Sequence, residues 1–386
     1  MEKIKIGDVC DILNGYAFKS DEYVNEGIRI IRIANVQKGY IEDSLPAFYP
    51  INFNGLDKYM LKENDLLMSL TGNVGRVALL QKEMLPAALN QRVACLRLKT
   101  DKITKKYLFY ILNSDFFEQQ CIQFSKGVAQ KNMSTEWLKD YEIPLYSIEE
   151  QLEVIEILDK TRNVISLRKK ELLALDNIIK ARFVEMFGDP IKNPKGWEVV
   201  TIGDIVTEVK YGTSKPAVEG GKYPYLRMNN LTSDGHLDLN DLKYIDISED
   251  EIEKCVVRKG DVLFNRTNSI ELVGKTAVFD LPDDMVIAGY IIRVRLNERM
   301  LPEVLSQYMN LEALKDILRS MAKGAVNQAN INAQELQSIK VYIPDMGLQK
   351  KFIEMKEQVD KSKVKVQKAL DETQKLFDSF MQQYFG

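Results

Sequence analysis

The chain has 386 residues, more than one ordinary core accommodates, so two globular units plus connectors are expected. Its 45% hydrophobic and 28% charged residues describe a folded globular protein, and no apolar run approaches the roughly 20 residues that cross a bilayer, so no membrane partner is expected. A net charge of -3 excludes a simple polybasic coat for nucleic acid. Any phosphate contact must then come from basic residues gathered on one surface, or from a more basic partner.

The opening Met1-Glu2-Lys3-Ile4-Lys5 is charged where a secretory signal carries its apolar stretch. Cys10, Cys95, Cys121 and Cys255 lie too far apart for a disulfide framework or a paired metal-ligand motif. Reduced thiols and a cytoplasmic location are the expectation.

Residues 1–147 mix short β-branched runs, such as Ile28-Arg29-Ile30-Ile31-Arg32-Ile33, with Gly, Asn and Asp turn signals, and read as a compact mixed helix-and-sheet domain. Residues 148–188 follow without Pro or Gly before the closing Gly188, and Leu158, Ile165, Leu172, Ile179 and Met186 recur at heptad spacing. That predicts one helix of about 40 residues, on the order of 60 Å long at ~1.5 Å per residue, longer than a small domain is wide. Its apolar seam requires a partner.

The segment from Asp189-Pro190 to Gly196-Trp197 ends this helix, and the chain then repeats itself. Ile6-Gly7-Asp8-Val9 returns as Ile202-Gly203-Asp204-Ile205, and Arg32-Ile33-Ala34-Asn35 returns as Arg227-Met228-Asn229-Asn230. Asp65-Leu66-Leu67 matches Asp261-Val262-Leu263, Gly75-Arg76 matches Gly274-Lys275, and Leu96-Arg97-Leu98 matches Val294-Arg295-Leu296. Gly289-Tyr290 stands where the first copy is expected to carry Asn90-Gln91. A second domain over 189–345 and a second helix over 346–386 complete the repeat, the latter with Phe352, Val359, Val366, Thr373 and Phe380 at the same spacing. The expected fold is therefore α+β. Two similar domains are separated by two long helices paired as an antiparallel coiled coil, and the duplication has pseudo-two-fold symmetry.

Catalytic patterns are missing where they could be sought. His236, the only histidine, sits in a Ser-Asp-Gly turn and reads as an exposed side chain. Pro344-Asp345 with Glu354-Met355-Lys356 imitates a nuclease constellation, but Glu354 and Lys356 diverge on a helix and the first copy has no counterpart. Val273-Gly274-Lys275-Thr276 resembles the end of a phosphate-binding loop, yet Ser269 stands where that loop needs Gly. No two prolines are adjacent, so an amino-methyltransferase loop is excluded.

This architecture resembles the specificity subunit of type I restriction-modification systems. So do the stretches Asn14-Gly15-Tyr16-Ala17-Phe18-Lys19-Ser20, Leu70-Thr71-Gly72-Asn73-Val74-Gly75-Arg76, Leu89-Asn90-Gln91 and Lys126-Gly127-Val128-Ala129-Gln130-Lys131-Asn132. Partial echoes follow at Tyr211-Gly212-Thr213-Ser214-Lys215 and Gly324-Ala325-Val326-Asn327-Gln328. The resemblance implies a non-catalytic reader of double-stranded DNA, each domain recognising half of a bipartite, asymmetric site and the helices setting the gap. It also implies two modification subunits that bind S-adenosylmethionine and methylate adenine, and restriction subunits that use ATP and Mg to translocate and cut DNA. No cofactor is expected on this chain.

Base readout needs forked polar side chains near loops that approach the nucleic acid closely. The candidates are Tyr16, Lys19, Asn35, Asn73 and Arg76 in the first domain, and Tyr211, Lys215, Asn230, Arg266 and Lys275 in the second. An ordinary exposed or turn-stabilising side chain is the alternative at each. For the whole chain the alternatives are an adaptor whose helices space two protein-binding domains, and a self-contained methyltransferase fused to a reader.

Overall fold

The computed structural model describes residues 2–125, 132–325 and 328–386. The stretch from Lys126 to Lys131, and Val326 with Asn327, lie outside the described residues. Two compact units emerge: Met1–Arg168 with Ala369–Gly386, and Lys169–Lys368.

The first unit is organised by an antiparallel four-stranded sheet in the order Cys10–Asn14, Val93–Leu98, Leu66–Ser69, Val77–Leu79. Both faces are covered, which explains why these strands read as continuous apolar runs rather than alternating ones. Leu66, Met68, Ala94 and Leu96 face a core built with Tyr107, Leu108, Ile111 and Phe117 of the helices Lys105–Leu112 and Asp115–Phe124. Leu67, Val93 and Cys95 face the other way, onto Ile31 and Leu89 of a three-stranded sheet made of Phe48–Tyr49, Ile28–Ile31 and Ala87–Leu89. Each such side chain contributes roughly 1.5–3 kcal/mol by leaving water.

The second unit repeats the plan: Val206–Tyr211, Ile291–Leu296, Val262–Asn265 and Thr276–Val278 form its four-stranded sheet. Val262, Phe264, Ile292 and Val294 face one core and Leu263 and Ile291 the other. A buried ion pair recurs at the same place. Arg97 Nε donates to Asp65 at 3.0 Å and Arg295 Nε to Asp261 at 2.8 Å, while the other oxygen of each carboxylate accepts a backbone N–H, from Lys62 and Arg258 respectively, at 2.8 Å.

The long helices run over Ile148–Phe187 and Met346–Phe385, 40 residues each. In the first unit Val154, Ile155 and Leu158 share a core with Phe377, Phe380, Met381 and Phe385. In the second, Phe183 and Phe187 meet the Phe352 ring edge-on at 5.3 and 5.5 Å. Within each unit the beginning of one helix thus lies beside the end of the other, the antiparallel sense. Along the seam, Leu158, Ile165, Ile179 and Phe352 are buried, and Leu172, Val359, Val366 and Phe380 are half-buried. Leu167, Leu173 and Val364, off that stripe, are 63–69% exposed.

Each helix is tied to its domain by a buried glutamine. Gln151 accepts from Thr104 N–H at 2.9 Å and donates to the Lys102 and Tyr146 carbonyls at 2.9 and 3.0 Å. Gln349 repeats this with Leu301, Arg299 and Pro344 at 2.9, 3.0 and 2.9 Å. Both side chains are fully buried and every polar atom is satisfied.

Candidate nucleic-acid interface

One end of each four-stranded sheet gathers the loops that carry the repeated motifs. In the first domain, Gly15 leaves the strand Cys10–Asn14 against residues 89 and 90, so close that a Cβ there would lie 2.3 Å from the Asn90 carbonyl. Tyr16 N–H donates to Leu89 O at 2.8 Å and its carbonyl accepts from Gln91 N–H at 3.0 Å. Leu70 N–H donates to Arg92 O at 2.9 Å, and its own carbonyl accepts from Met133 N–H at 2.8 Å. The loop of residues 70–73, the turn of residues 90–92 and Tyr16 thereby form one surface.

The second domain builds the same frame from the same backbone bonds. Gly212 packs on Ile287 and Ala288, Thr213 N–H donates to Ile287 O at 2.9 Å, and Arg266 N–H donates to Tyr290 O at 3.0 Å. Ile331 N–H reaches the Arg266 carbonyl at 2.9 Å. These bonds set the equivalences: Asn14 with Tyr211, Leu70 with Arg266, Asn90 with Ala288, and Arg92 with Tyr290. The expected match of Gly289-Tyr290 to Asn90-Gln91 is therefore corrected by one residue, to Gln91-Arg92. A bulge between Val206 and Glu208 is one of the insertions that shift the offset between copies.

Among the expected contact residues, Tyr16, Asn73, Tyr211 and Arg266 stand on these sheet ends. Tyr16 is half-buried against Phe18, Phe53 and Tyr59, with ring centroids 5.0–6.0 Å away. Asn73 is exposed. Tyr211 is 43% exposed and carries the Arg266 guanidinium 4.9 Å above its ring. Lys19 and Lys215 are exposed and paired with Glu22 and Glu251. The Lys215 loop is held from below by Tyr225, whose hydroxyl donates to the Thr213 and Lys215 carbonyls, both at 3.1 Å. Arg76 is half-buried and donates to Gln37 Oε1.

Three expectations are corrected. Asn35 and Asn230 are 4% and 2% exposed, and their side chains close equivalent turns: each oxygen accepts from a backbone N–H, of Arg32 or Arg227, and each amide donates to the Glu42 or Asp238 carbonyl at 2.8 Å. At that burial they are out of reach of a base. Lys275 occupies the place of Arg76 but is 8% exposed, and its ammonium donates inward to Met228 O at 3.1 Å. Burial lowers its pKa. The neighbouring Lys315, whose Nζ donates to Gly274 O at 2.5 Å, is itself brought down to about 7 by burial. His236 is half-exposed as expected for a turn residue, but it also lies between Asp234 and Asp360, at 3.9 and 3.7 Å.

Gln91, Arg92 and Tyr290 were missed. All three are exposed, on the turn joining the two sheets; Gln91 closes the Leu89-Asn90-Gln91 stretch and Arg92 follows it, but neither was among the expected contact residues. Arg92 has no ion-pair partner among the described residues. The two frames match and their side chains differ: exposed Asn14 and Arg92 with buried Leu70 in one, exposed Tyr211 and Tyr290 with half-buried Arg266 in the other. No helix among the described residues is long and apolar enough to cross a membrane.

The family described as Type I restriction modification DNA specificity domain matches residues 1–177 and again residues 194–373. The chain is 22% identical over 375 residues to the Type I restriction enzyme EcoKI specificity subunit of Escherichia coli (strain K12), spanning 92% of this chain and 81% of that one. It is 33% identical over 177 residues to the Type I restriction enzyme MjaVIII specificity subunit of Methanocaldococcus jannaschii, 44% of this chain and 41% of that relative. The fold is shared with the S subunit of the type I restriction-modification system from M. genitalium, at a TM-score of 0.55, 17% identity, and coverage of 100% and 96%. A chain from a structure of complex assembly in the type I R-M system gives a TM-score of 0.59 at 18% identity, covering 100% and 97%. With two matches that together span most of its length, the chain belongs to the type I restriction-modification DNA specificity family, a specificity subunit whose role is DNA target recognition.

Proposed function

We propose that this subunit is a non-catalytic reader in which each sheet end recognises one half of a bipartite, asymmetric DNA site. What carries the reading is the pair of equivalent surfaces. The backbone frame is the same in both domains, which suits a common mode of approach to DNA. The side chains differ at each equivalent position, with Asn14 and Arg92 exposed on one surface and Tyr211 and Tyr290 on the other, which suits two unrelated half-sites. The long helices join the two readers and hold their separation. Two modification subunits carrying S-adenosylmethionine would methylate adenine, and restriction subunits would supply ATP- and Mg-dependent translocation and cleavage. Both would dock away from the sheet ends, leaving these free for the grooves.

The net charge of -3 bears on how phosphates are held. Pairs such as Arg97–Asp65 and Arg295–Asp261 neutralise part of the basic charge, so the modification subunits would share the phosphate contact. Gel retardation with a salt titration tests the division of labour. The assembled complex should lose affinity linearly in log–log form, with a slope steeper than that of the isolated chain. Equal slopes would place all the phosphate contacts on this subunit. Calorimetry of the isolated chain with S-adenosylmethionine should show no binding; a bound cofactor would instead indicate a methyltransferase site on this chain.

A further inference from the structure

The second domain contains seven arginines, and six are committed to carboxylates: Arg227, Arg258, Arg293, Arg295, Arg299 and Arg319 each form an ion pair. Arg266 alone has none among the described residues. Its Nε is buried without a hydrogen-bond partner, and its guanidinium carbon sits over the Tyr211 ring, 4.9 Å from the centroid. An arginine kept from every carboxylate yet held in place is unusual, because a free guanidinium on a flexible stem samples many rotamers and finds acceptors readily.

The holding is built from both directions. The Arg266 backbone is clamped, its N–H by Tyr290 O and its carbonyl by Ile331 N–H. Beneath it the Tyr211 ring is pinned at its far end, where the hydroxyl accepts from Ala333 N–H at 2.8 Å. The preceding Asn265 is fully buried and donates to the Thr267 and Tyr290 carbonyls, both at 3.2 Å, which locks the turn. The half-exposed Tyr211 and Tyr290 flank the site with apolar surface, and Arg266 itself is half-buried between them and solvent.

Resting on the proposed DNA-reading role of this sheet end, we propose that Arg266 reads a guanine in the second half-site and that Tyr211 is its positioning residue. Two parallel N–H donors match the O6 and N7 acceptors that guanine presents in the major groove. Adenine sets a donor beside N7, and cytosine offers a donor. The first domain carries Leu70 and Asn14 at the equivalent places, so this recognition belongs to one half-site only.

The test uses the assembled methyltransferase with the full-length subunit. Genome-wide mapping of methylated adenines first defines the wild-type motif, and methylation rates are then measured on duplexes carrying 7-deazaguanine, which lacks N7, at each guanine of the second half. One position should lose about five- to a hundredfold in rate for the wild type, the range of one good bidentate contact. Arg266→Ala should accept any base there, be indifferent to 7-deazaguanine, and leave the first half-site unchanged, which also certifies folding. Tyr211→Ala should reproduce the relaxed position in part and add nothing to Arg266→Ala, whereas Tyr211→Phe should retain most of the selectivity. If Arg266→Ala keeps the wild-type motif, or slows all sites alike as loss of a phosphate contact would, the guanine assignment is overturned while the domain's role stands. A wild-type complex that shows no sequence selectivity overturns both.

Discussion

Arg266 stands over the Tyr211 ring, its guanidinium carbon 4.9 Å from the ring centroid, at a place where the first copy of the duplication has Leu70 and Asn14. The contrast shows what the duplication preserved. The backbone bonds that place these residues are the same in both copies, whereas the side chains they carry have diverged, a buried Leu70 standing where the second copy has Arg266. A frame that is held while its tips vary is what a modular reader requires.

Modularity makes the first prediction. Exchanging residues 15–135 for those of another specificity subunit should change one half of the methylated motif and leave the other half and the spacing intact. Methylated-adenine mapping reads this directly, and a change in both halves would defeat independent readout.

Asn35 and Asn230 close turns, so Asn35→Ala should cost about 1–3 kcal/mol of stability, because the Arg32 N–H and Glu42 carbonyl lose their partners. The motif read by a complex that still assembles should be unaltered. Arg92→Ala should do the reverse, leaving the urea midpoint within experimental scatter and weakening or relaxing recognition of the first half-site.

The buried glutamines are structural anchors. Gln349→Leu should destabilise the second unit by about 2–4 kcal/mol, since it leaves the Leu301 N–H and the Arg299 and Pro344 carbonyls unpaired in a dry site. Chemical denaturation should show the loss. Gln349→Glu, which keeps the acceptor but loses the donors and buries a charge, should be no better.

Lys315 gives a pH dependence with a definite sign. Burial, aided by the Arg319 and Lys275 charges, lowers it to about 7, against 10.5 for the free side chain. Between those values the unfolded chain binds a proton that the folded chain lacks, so this residue's penalty is full below pH 7 and is relieved as pH rises toward 10. Relative to Lys315→Met, wild type should gain stability, on the order of several kcal/mol, between pH 7 and pH 10. Unfolding curves at pH 7 and 9.5 for the two proteins measure it, and parallel behaviour would contradict the assignment.

Much of the architecture was legible because it rests on periodicity. Two uninterrupted heptad runs show as helices, and repeated Gly and Asp landmarks show a duplication, whatever the tertiary contacts. The site was less legible for three physical reasons. Repeated polar residues such as Asn35 and Asn230 advertise the frame as strongly as a function, and only their burial shows that the backbone consumes them. Gln151 and Gln349 sit among helical charges and look like outer-face residues until their satisfied, fully buried amides are seen. Arg92 and Tyr290 were hidden by register, since single-residue insertions shift the offset between copies and only hydrogen bonds restore the alignment.

The central claim is that two diverged reading surfaces on one chain specify a single composite site. Cells carrying this subunit with its modification subunits, and with no other adenine methyltransferase, allow it to be measured by sequencing methylated adenines across the genome. One motif of two unrelated half-sites, separated by a fixed run of unspecified bases, is expected. That motif's second half should contain a guanine, and its selectivity should vanish with Arg266→Ala. A single uninterrupted motif, or a motif that requires only one of the two domains, would contradict it.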